Sequence, residues 1–191
     1  SNPMWLTKLG DKMIFSADDG EKGRELWITD NTEEGTTMIK DINPGNNSSF
    51  PTGPMKEMGG FVYFSANDGT HGWELWRTDG TEEGTNMVRD IREGENSSLS
   101  WGSTAHWHGE YTLVHNNHFY FSANDGESGQ ELWRTDGTES GTELIVDVNA
   151  GEGGSWPWWF TTMGDKIYFT SWDGDQRQLW FYWDNPGPVI S

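Results

Sequence analysis

The apolar residues of this chain fall in short clusters separated by Gly, Asn, Asp and Pro, and nowhere do they recur with the spacing of an amphipathic helix. Residues 4–9 predict a first strand, Gly10-Asp11 a tight turn, and residues 12–16 a second strand whose Met13-Ile14-Phe15 is apolar on consecutive positions. A strand apolar on both sides has to be covered on both sides, so the sheet it belongs to is packed between neighbours. The loop 18–23 leads to a third strand at 25–29, and the loop 30–35 to a fourth at 37–42.

This unit repeats. Phe15-Ser16-Ala17-Asp18-Asp19-Gly20 returns as Phe64-Ser65-Ala66-Asn67-Asp68-Gly69, as Phe121-Ser122-Ala123-Asn124-Asp125-Gly126 and, degraded, as Phe169-Thr170-Ser171-Trp172-Asp173-Gly174, at intervals of 49, 57 and 48 residues. Glu25-Leu26-Trp27, Glu74-Leu75-Trp76, Glu131-Leu132-Trp133 and Gln178-Leu179-Trp180 follow in turn. In the first three copies a Thr-Asp-(Gly/Asn)-Thr-Glu-x-Gly-Thr hairpin comes next. Repeats of four short strands, each buried against neighbours on both faces, predict an all-β fold: a four-bladed β-propeller of four-stranded antiparallel blades. The blades fall at about 4–49, 50–98, 111–155 and 156–191, with an insert at 99–110. The fourth copy is short, because Trp183-Asp184-Asn185-Pro186-Gly187-Pro188 replaces the hairpin and Val189-Ile190-Ser191 is all that remains of its last strand. Ring closure then rests on packing between blades one and four, or the chain is one stretch of a longer array.

The Glu-Leu-Trp-x-Thr-Asp-Gly-Thr motif resembles the ELWxxDGT repeat family of bacterial secreted and surface proteins, over nearly the whole chain and with departures at Asn31 and throughout blade four. The resemblance implies a propeller-like architecture, an extracellular or cell-surface location, often within much larger proteins, and no catalytic residues.

Charge narrows the partners. With 31 Asp and Glu against 12 Lys and Arg, the net charge is −19, which repels phosphate backbones and anionic headgroups, so neither nucleic acid nor membrane is expected as a partner. No apolar run is long enough to span a bilayer, so no membrane insertion is expected. Cysteine is absent, removing disulfides and thiolate chemistry. Only 32% of residues are hydrophobic, yet 13 Trp, 9 Phe and 5 Tyr supply a large buried area per residue.

The hairpin aspartates Asp30, Asp79 and Asp136 read as turn-formers, and Trp27, Trp76, Trp133 and Trp180 as wedges between blades. The loop between strands two and three places Asp19, Asp68, Asp125 and Asp173 beside Gly, with Glu25, Glu74 and Glu131 six residues on from the first three. Calcium is the candidate cofactor for these hard oxygens, and a plain Asp-Gly turn is the alternative, since the spacing departs from the twelve-residue calcium loop. In the insert, His106 and His108 lie on one side of an extended segment, with His115 and His118 close behind, a grouping suited to a transition metal or simply to a polar loop.

Propeller connectivity brings the second-to-third-strand loops and the inter-blade connections to one rim. Six indoles outside the repeat would collect there: Trp73, Trp101, Trp107, Trp156, Trp158 and Trp172. With Asp, Asn and Ser between them, they have the composition that stacks on sugar rings and bonds their hydroxyls; the alternative is gap-filling in a small core. Motifs for nucleophilic or zinc catalysis are missing, so no catalytic residues are assigned. The expected function is a non-enzymatic extracellular recognition module, partnered by a glycan or an extracellular protein and assisted by calcium. A structural or oligomerising module of a larger surface protein, and a hydrolase with an acidic site, are the alternatives.

Overall fold

The computed structural model describes residues 2–99 and 111–183. All of its regular structure is β, in four antiparallel sheets whose strands follow the chain order. Blade one comprises β1 (Met4–Leu9), β2 (Lys12–Asp18), β3 (Arg24–Thr29) and β4 (Thr37–Lys40). Blade two comprises β5 (Thr52–Met58), β6 (Phe61–Asn67), β7 (Trp73–Thr78) and β8 (Asn86–Arg89). Blade three has β9 (Thr112–His115), β10 (His118–Asn124), β11 (Gln130–Thr135) and β12 (Glu143–Val146). Blade four has three described strands, β13 (Trp158–Met163), β14 (Lys166–Trp172) and β15 (Arg177–Trp183). The four expected sheets are therefore present, the last without a fourth strand among the described residues, where the hairpin that would turn the chain back is missing from the sequence. No helix of the described residues is long and apolar enough to cross a membrane.

Register is the same in every blade. Phe15 lies opposite Trp27, Phe64 opposite Trp76, Phe121 opposite Trp133 and Phe169 opposite Trp180. Because side chains alternate across a strand, Trp76, Trp133 and Trp180 point to the preceding blade and Leu26, Leu75 and Leu132 to the following one. Three clusters result. Ile14, Leu26 and Ile28 of blade one meet Val62, Phe64 and Trp76 of blade two. Tyr63, Leu75 and Val88 of blade two meet Phe119, Phe121 and Trp133 of blade three. Tyr120 and Leu132 of blade three meet Phe160, Ile167 and Phe169 of blade four, with Trp180 packed against them.

The wedge reading thus holds fully for Trp76 and Trp133, which are buried, whereas Trp27 and Trp180 are only half-buried. Trp27 faces the side of blade one on which no other blade packs among the described residues, and Trp180 belongs to the blade with three described strands. Among the described residues no cluster joins blade four to blade one, so the packing that would close a ring of four is not found there.

The hairpins after the third strands are built as turn chemistry requires. Asp79 Oδ1 accepts from the Thr81 N–H and hydroxyl, Thr81 Oγ1 accepts from the Gly84 N–H, and the Thr85 hydroxyl donates to the Thr81 carbonyl. Asp30 and Asp136 repeat the arrangement. These bonds hold all three carboxyls below the usual aspartate range, the Thr side-chain bond contributing most in each. Gly84 is required by proximity, since a Cβ there would run into the Asp79 carboxylate.

Candidate functional site

The rim where the inter-blade connections run is organised by a buried glutamate in each of the first three blades. Glu74 is fully buried, and it accepts from the Ser98 N–H at 2.9 Å, the Ser98 hydroxyl at 2.5 Å and the Ile91 N–H at 3.1 Å. Glu25 binds Ser49 and Ile42 in the same way, and Glu131 binds Ser155 and Val148. Each glutamate therefore fastens the connection that leaves its blade, rather than joining the aspartates of the preceding loop as a shared ion site. Desolvation raises all three carboxyls above the ordinary glutamate value, Glu74 to about 7, despite the hydrogen bonds that favour its charged form.

The same connections are stitched to the next blade. The Asn67 N–H donates to the Ser49 carbonyl, Asn124 to Ser98 and Trp172 to Ser155, while the Phe50, Leu99 and Trp156 N–H groups return to the Arg24, Trp73 and Gln130 carbonyls of the blade just left. Inter-blade connections and second-to-third-strand loops accordingly share one rim, as the connectivity predicts.

Between blades one and two this rim forms a recess of about 440 Å³. Phe50 and Trp73 supply its aromatic surfaces, with ring centroids 6.3 Å apart and planes inclined by 35°. Asn43, Ser48, Asn67 and Thr70 supply neutral hydrogen-bonding groups, and Glu95 a carboxylate. Phe50 is 50% exposed and sits at a φ of 47°, a left-handed backbone that bulky side chains rarely adopt. Its counterpart in the blade three–four connection, Trp156, is 45% exposed at a φ of 53°. The counterpart between them, Leu99, is buried.

The expected indoles separate into two places. Trp73 is half-buried in the blade one–two recess. Trp156, Trp158 and Trp172 gather at the blade three–four rim around Arg177, whose guanidinium lies 4.6 Å from the Trp158 ring centre and donates to the Trp156 carbonyl at 3.2 Å. Trp156 and Trp172 are exposed there, and Trp158 is half-buried with Tyr111 packed edge-on against it at 5.9 Å. Trp101, Trp107, His106 and His108 lie outside the described residues. His115 and His118 face each other across the β9–β10 turn. Phe50 is not among the indoles the sequence singles out, since it stands at a blade boundary; aligning Ser49-Phe50, Ser98-Leu99 and Ser155-Trp156 is the signal that finds it.

The aspartates Asp19, Asp68, Asp125 and Asp173 stand one to a blade, and the fold does not bring them together. Asp19 Oδ1 accepts from the Glu21 and Lys22 N–H groups, Asp68 Oδ1 from Thr70 and His71, Asp125 Oδ1 from Glu127 and Ser128, and Asp173 Oδ1 from Asp175 and Gln176. Their carboxyls are held low. Backbone donors do this at Asp19 and Asp173; at Asp68 and Asp125 burial pushes the other way and is outweighed by loop donors. His71 Nδ1 lies 2.7 Å from Asp68 Oδ2, a bond that raises the imidazole above its usual value. No group of three or more His, Asp or Glu side chains converges as a metal site among the described residues. A loop with one such aspartate falls well short of the six to eight oxygens that calcium takes.

Comparison with protein-family models gives no match, and comparison with curated proteins gives none. Solved structures do match. Puromycin hydrolase, in a mutant complexed with a ligand, superimposes with a TM-score of 0.56 at 16% identity, covering 90% of this chain and 25% of that one. A second puromycin hydrolase structure gives a TM-score of 0.54 at 17% identity over 88% of this chain and 24% of that one. A TolB protein from Agrobacterium tumefaciens gives 0.44 at 13% identity over 90% and 57%. This chain thus spans about a quarter of the length of the puromycin hydrolase chains it matches. The likeness is one of fold: this chain is all-β, with four antiparallel sheets that resemble propeller blades.

Proposed function

We propose that this chain is a non-enzymatic recognition module of the ELWxxDGT kind that binds carbohydrate in the recess between blades one and two. The observation that supports this reading is Phe50: an aromatic side chain half exposed, on left-handed backbone, 6.3 Å from Trp73 at the mouth of a recess rich in Asn, Ser and Thr. Backbone strain of this kind costs on the order of 1 kcal/mol or more, and an exposed ring returns little of that through packing. Flat aromatic faces accept the apolar side of a pyranose, and neutral amide and hydroxyl groups match its hydroxyls. A net charge of −19 disfavours phosphorylated or sulfated sugars, so the ligand class is a neutral glycan. The surface or secreted location rests on the motif resemblance alone. Aspartates bound into their own loops argue for binding without calcium.

A glycan array screened with the intact chain, with and without chelator, followed by calorimetry on the best neutral oligosaccharide, tests the reading. Phe50→Ala is expected to weaken binding roughly 10- to 100-fold, the scale of an aromatic hot spot, with the melting temperature unchanged. An array silent toward neutral glycans, or binding indifferent to Phe50→Ala, would sink it.

The exposed faces of blades one and four favour a second reading, that of an oligomerising module.

A further inference from the structure

Each internal interface pairs one kind of face with another. The following blade contributes a leading face, such as Met55, Val62, Phe64 and Trp76 of blade two, and the preceding blade a trailing face, such as Ile14, Leu26, Ile28 and Ile39 of blade one. Blade one has a leading face of its own, made of the matching positions Leu6, Met13, Phe15 and Trp27. Leu6 is 62% exposed and the other three are half-buried. Blade four has a trailing face of matching positions Met163, Tyr168, Leu179 and Phe181, extended by Trp183. Leu179, the counterpart of the fully buried Leu26, Leu75 and Leu132, is 71% exposed, and Met163, Phe181 and Trp183 are exposed with it.

We propose that a second copy of this chain docks its blade-one leading face on the blade-four trailing face, so that two copies close head to tail into a ring of eight blades. The occupant follows from continuity: the exposed trailing face is the same surface that, in blades one to three, takes a leading face, and blade one carries such a face. Segment 184–191 is the weaker candidate. In blades one to three the chain after the third strand pairs along that strand's edge and extends the sheet, leaving its face to the next blade. The area is adequate. Four large exposed side chains presenting on the order of 100 Å² each give about 400 Å² of apolar surface. That is what one partner in a standard interface of about 800 Å² per side contributes when slightly over half of it is apolar. Rotation closes a head-to-tail contact into a ring when the step matches, and eight blades lie within the range propellers use. Lys166, whose ammonium lies 4.8 Å from the Phe181 ring centre, puts a positive charge on the trailing face of an otherwise acidic molecule.

Sedimentation equilibrium of the intact chain from about 1 µM to about 1 mM tests this. The expected result is a one-chain to two-chain transition that strengthens with NaCl, because salt screens the repulsion between two chains of charge −19. Leu179→Asp and Leu6→Asp are each expected to weaken association at least tenfold or so, since a charge is then buried unpaired. Both residues are exposed, so at low concentration both variants are expected to melt with the unaltered chain. Mixing the two variants restores a two-chain species, because the leading face of one and the trailing face of the other are intact. One-chain mass at every concentration, a dimer that survives Leu6→Asp, or mass that grows past two chains would each overturn the proposal.

Discussion

Burying three glutamates makes stability depend on pH in a direction opposite to that of ordinary surface carboxylates. Glu74 rises from 4.5 to about 7 in the folded chain, chiefly through desolvation. Between those values the folded state holds a proton that the unfolded state has released, so stability is fully present below about pH 4.5, falls as pH rises through 7, and is flat above. At about 1.4 kcal/mol per unit, the loss across that window is on the order of 3 kcal/mol from Glu74 alone. Glu25 and Glu131 are shifted in the same direction, and His71, raised by Asp68, also contributes stability that is lost as pH rises. Below pH 4 the depressed aspartates take over with the opposite sign, so the optimum falls near pH 5. Urea unfolding at pH 5, 6, 7 and 8 and constant ionic strength measures the slope, and Glu74→Gln isolates one contributor. Gln keeps the shape but turns an N–H₂ toward the Ile91 or Ser98 donors, so the variant is expected to lose about 1–3 kcal/mol at pH 5. Its stability is then expected to fall less than the unaltered chain's between pH 5 and 8. Equal slopes in the two proteins, or a stability that climbs from pH 5 to 8, would refute the account of the buried carboxyl.

Trp76→Ala and Trp133→Ala, each emptying a buried wedge, are expected to lose roughly 3–5 kcal/mol in urea unfolding, whereas Trp172→Ala, at an exposed rim position, is expected to lose less than about 1 kcal/mol. Gly84→Ala pushes a methyl into the Asp79 carboxylate and is expected to lose about 2 kcal/mol, an effect that a simultaneous Asp79→Ala removes in a double-mutant cycle. Melting temperatures in CaCl₂ and in NaCl of equal ionic strength are expected to coincide, because each loop aspartate is already bound by its own backbone; a rise specific to Ca²⁺ would show a site that these loops do not display.

Blade structure was legible because it is imposed on every copy. A position that has to pack between two sheets is Leu26, Leu75, Leu132 and Leu179 whether or not the last of these has anything to pack against. That regularity is also why closure was not legible. Leu179 carries the sequence signature of a core residue and is the most exposed large apolar side chain among the described residues, and only the spatial order of the sheets distinguishes it from Leu26. The glutamate of the motif misled for a related reason. Its sequence neighbours are loop aspartates, which suggested a shared ion, but its bonding partners stand 17 and 24 residues ahead, in the connection to the next blade.

The rim was legible only in part, because a repeat reports what all blades need in common and function in one blade shows as a departure from it. Departures at buried positions are repacking; departures toward larger, more exposed side chains ask for another reason. At the residue after the stapled serine, blade two keeps a buried Leu99 while blades one and three place exposed Phe50 and Trp156 on left-handed backbone. At the start of the third strand, blades one and four carry Arg24 and Arg177 while blades two and three carry Trp73 and Gln130, although the Glu or Gln that follows them barely changes. Both variable positions lie where one blade's connection crosses the next blade's loop, and in the blade one–two recess they are filled by Phe50 and Trp73 together. Comparing copies with one another, rather than reading along the chain, therefore separates the residues that build the blade from those that set one rim apart.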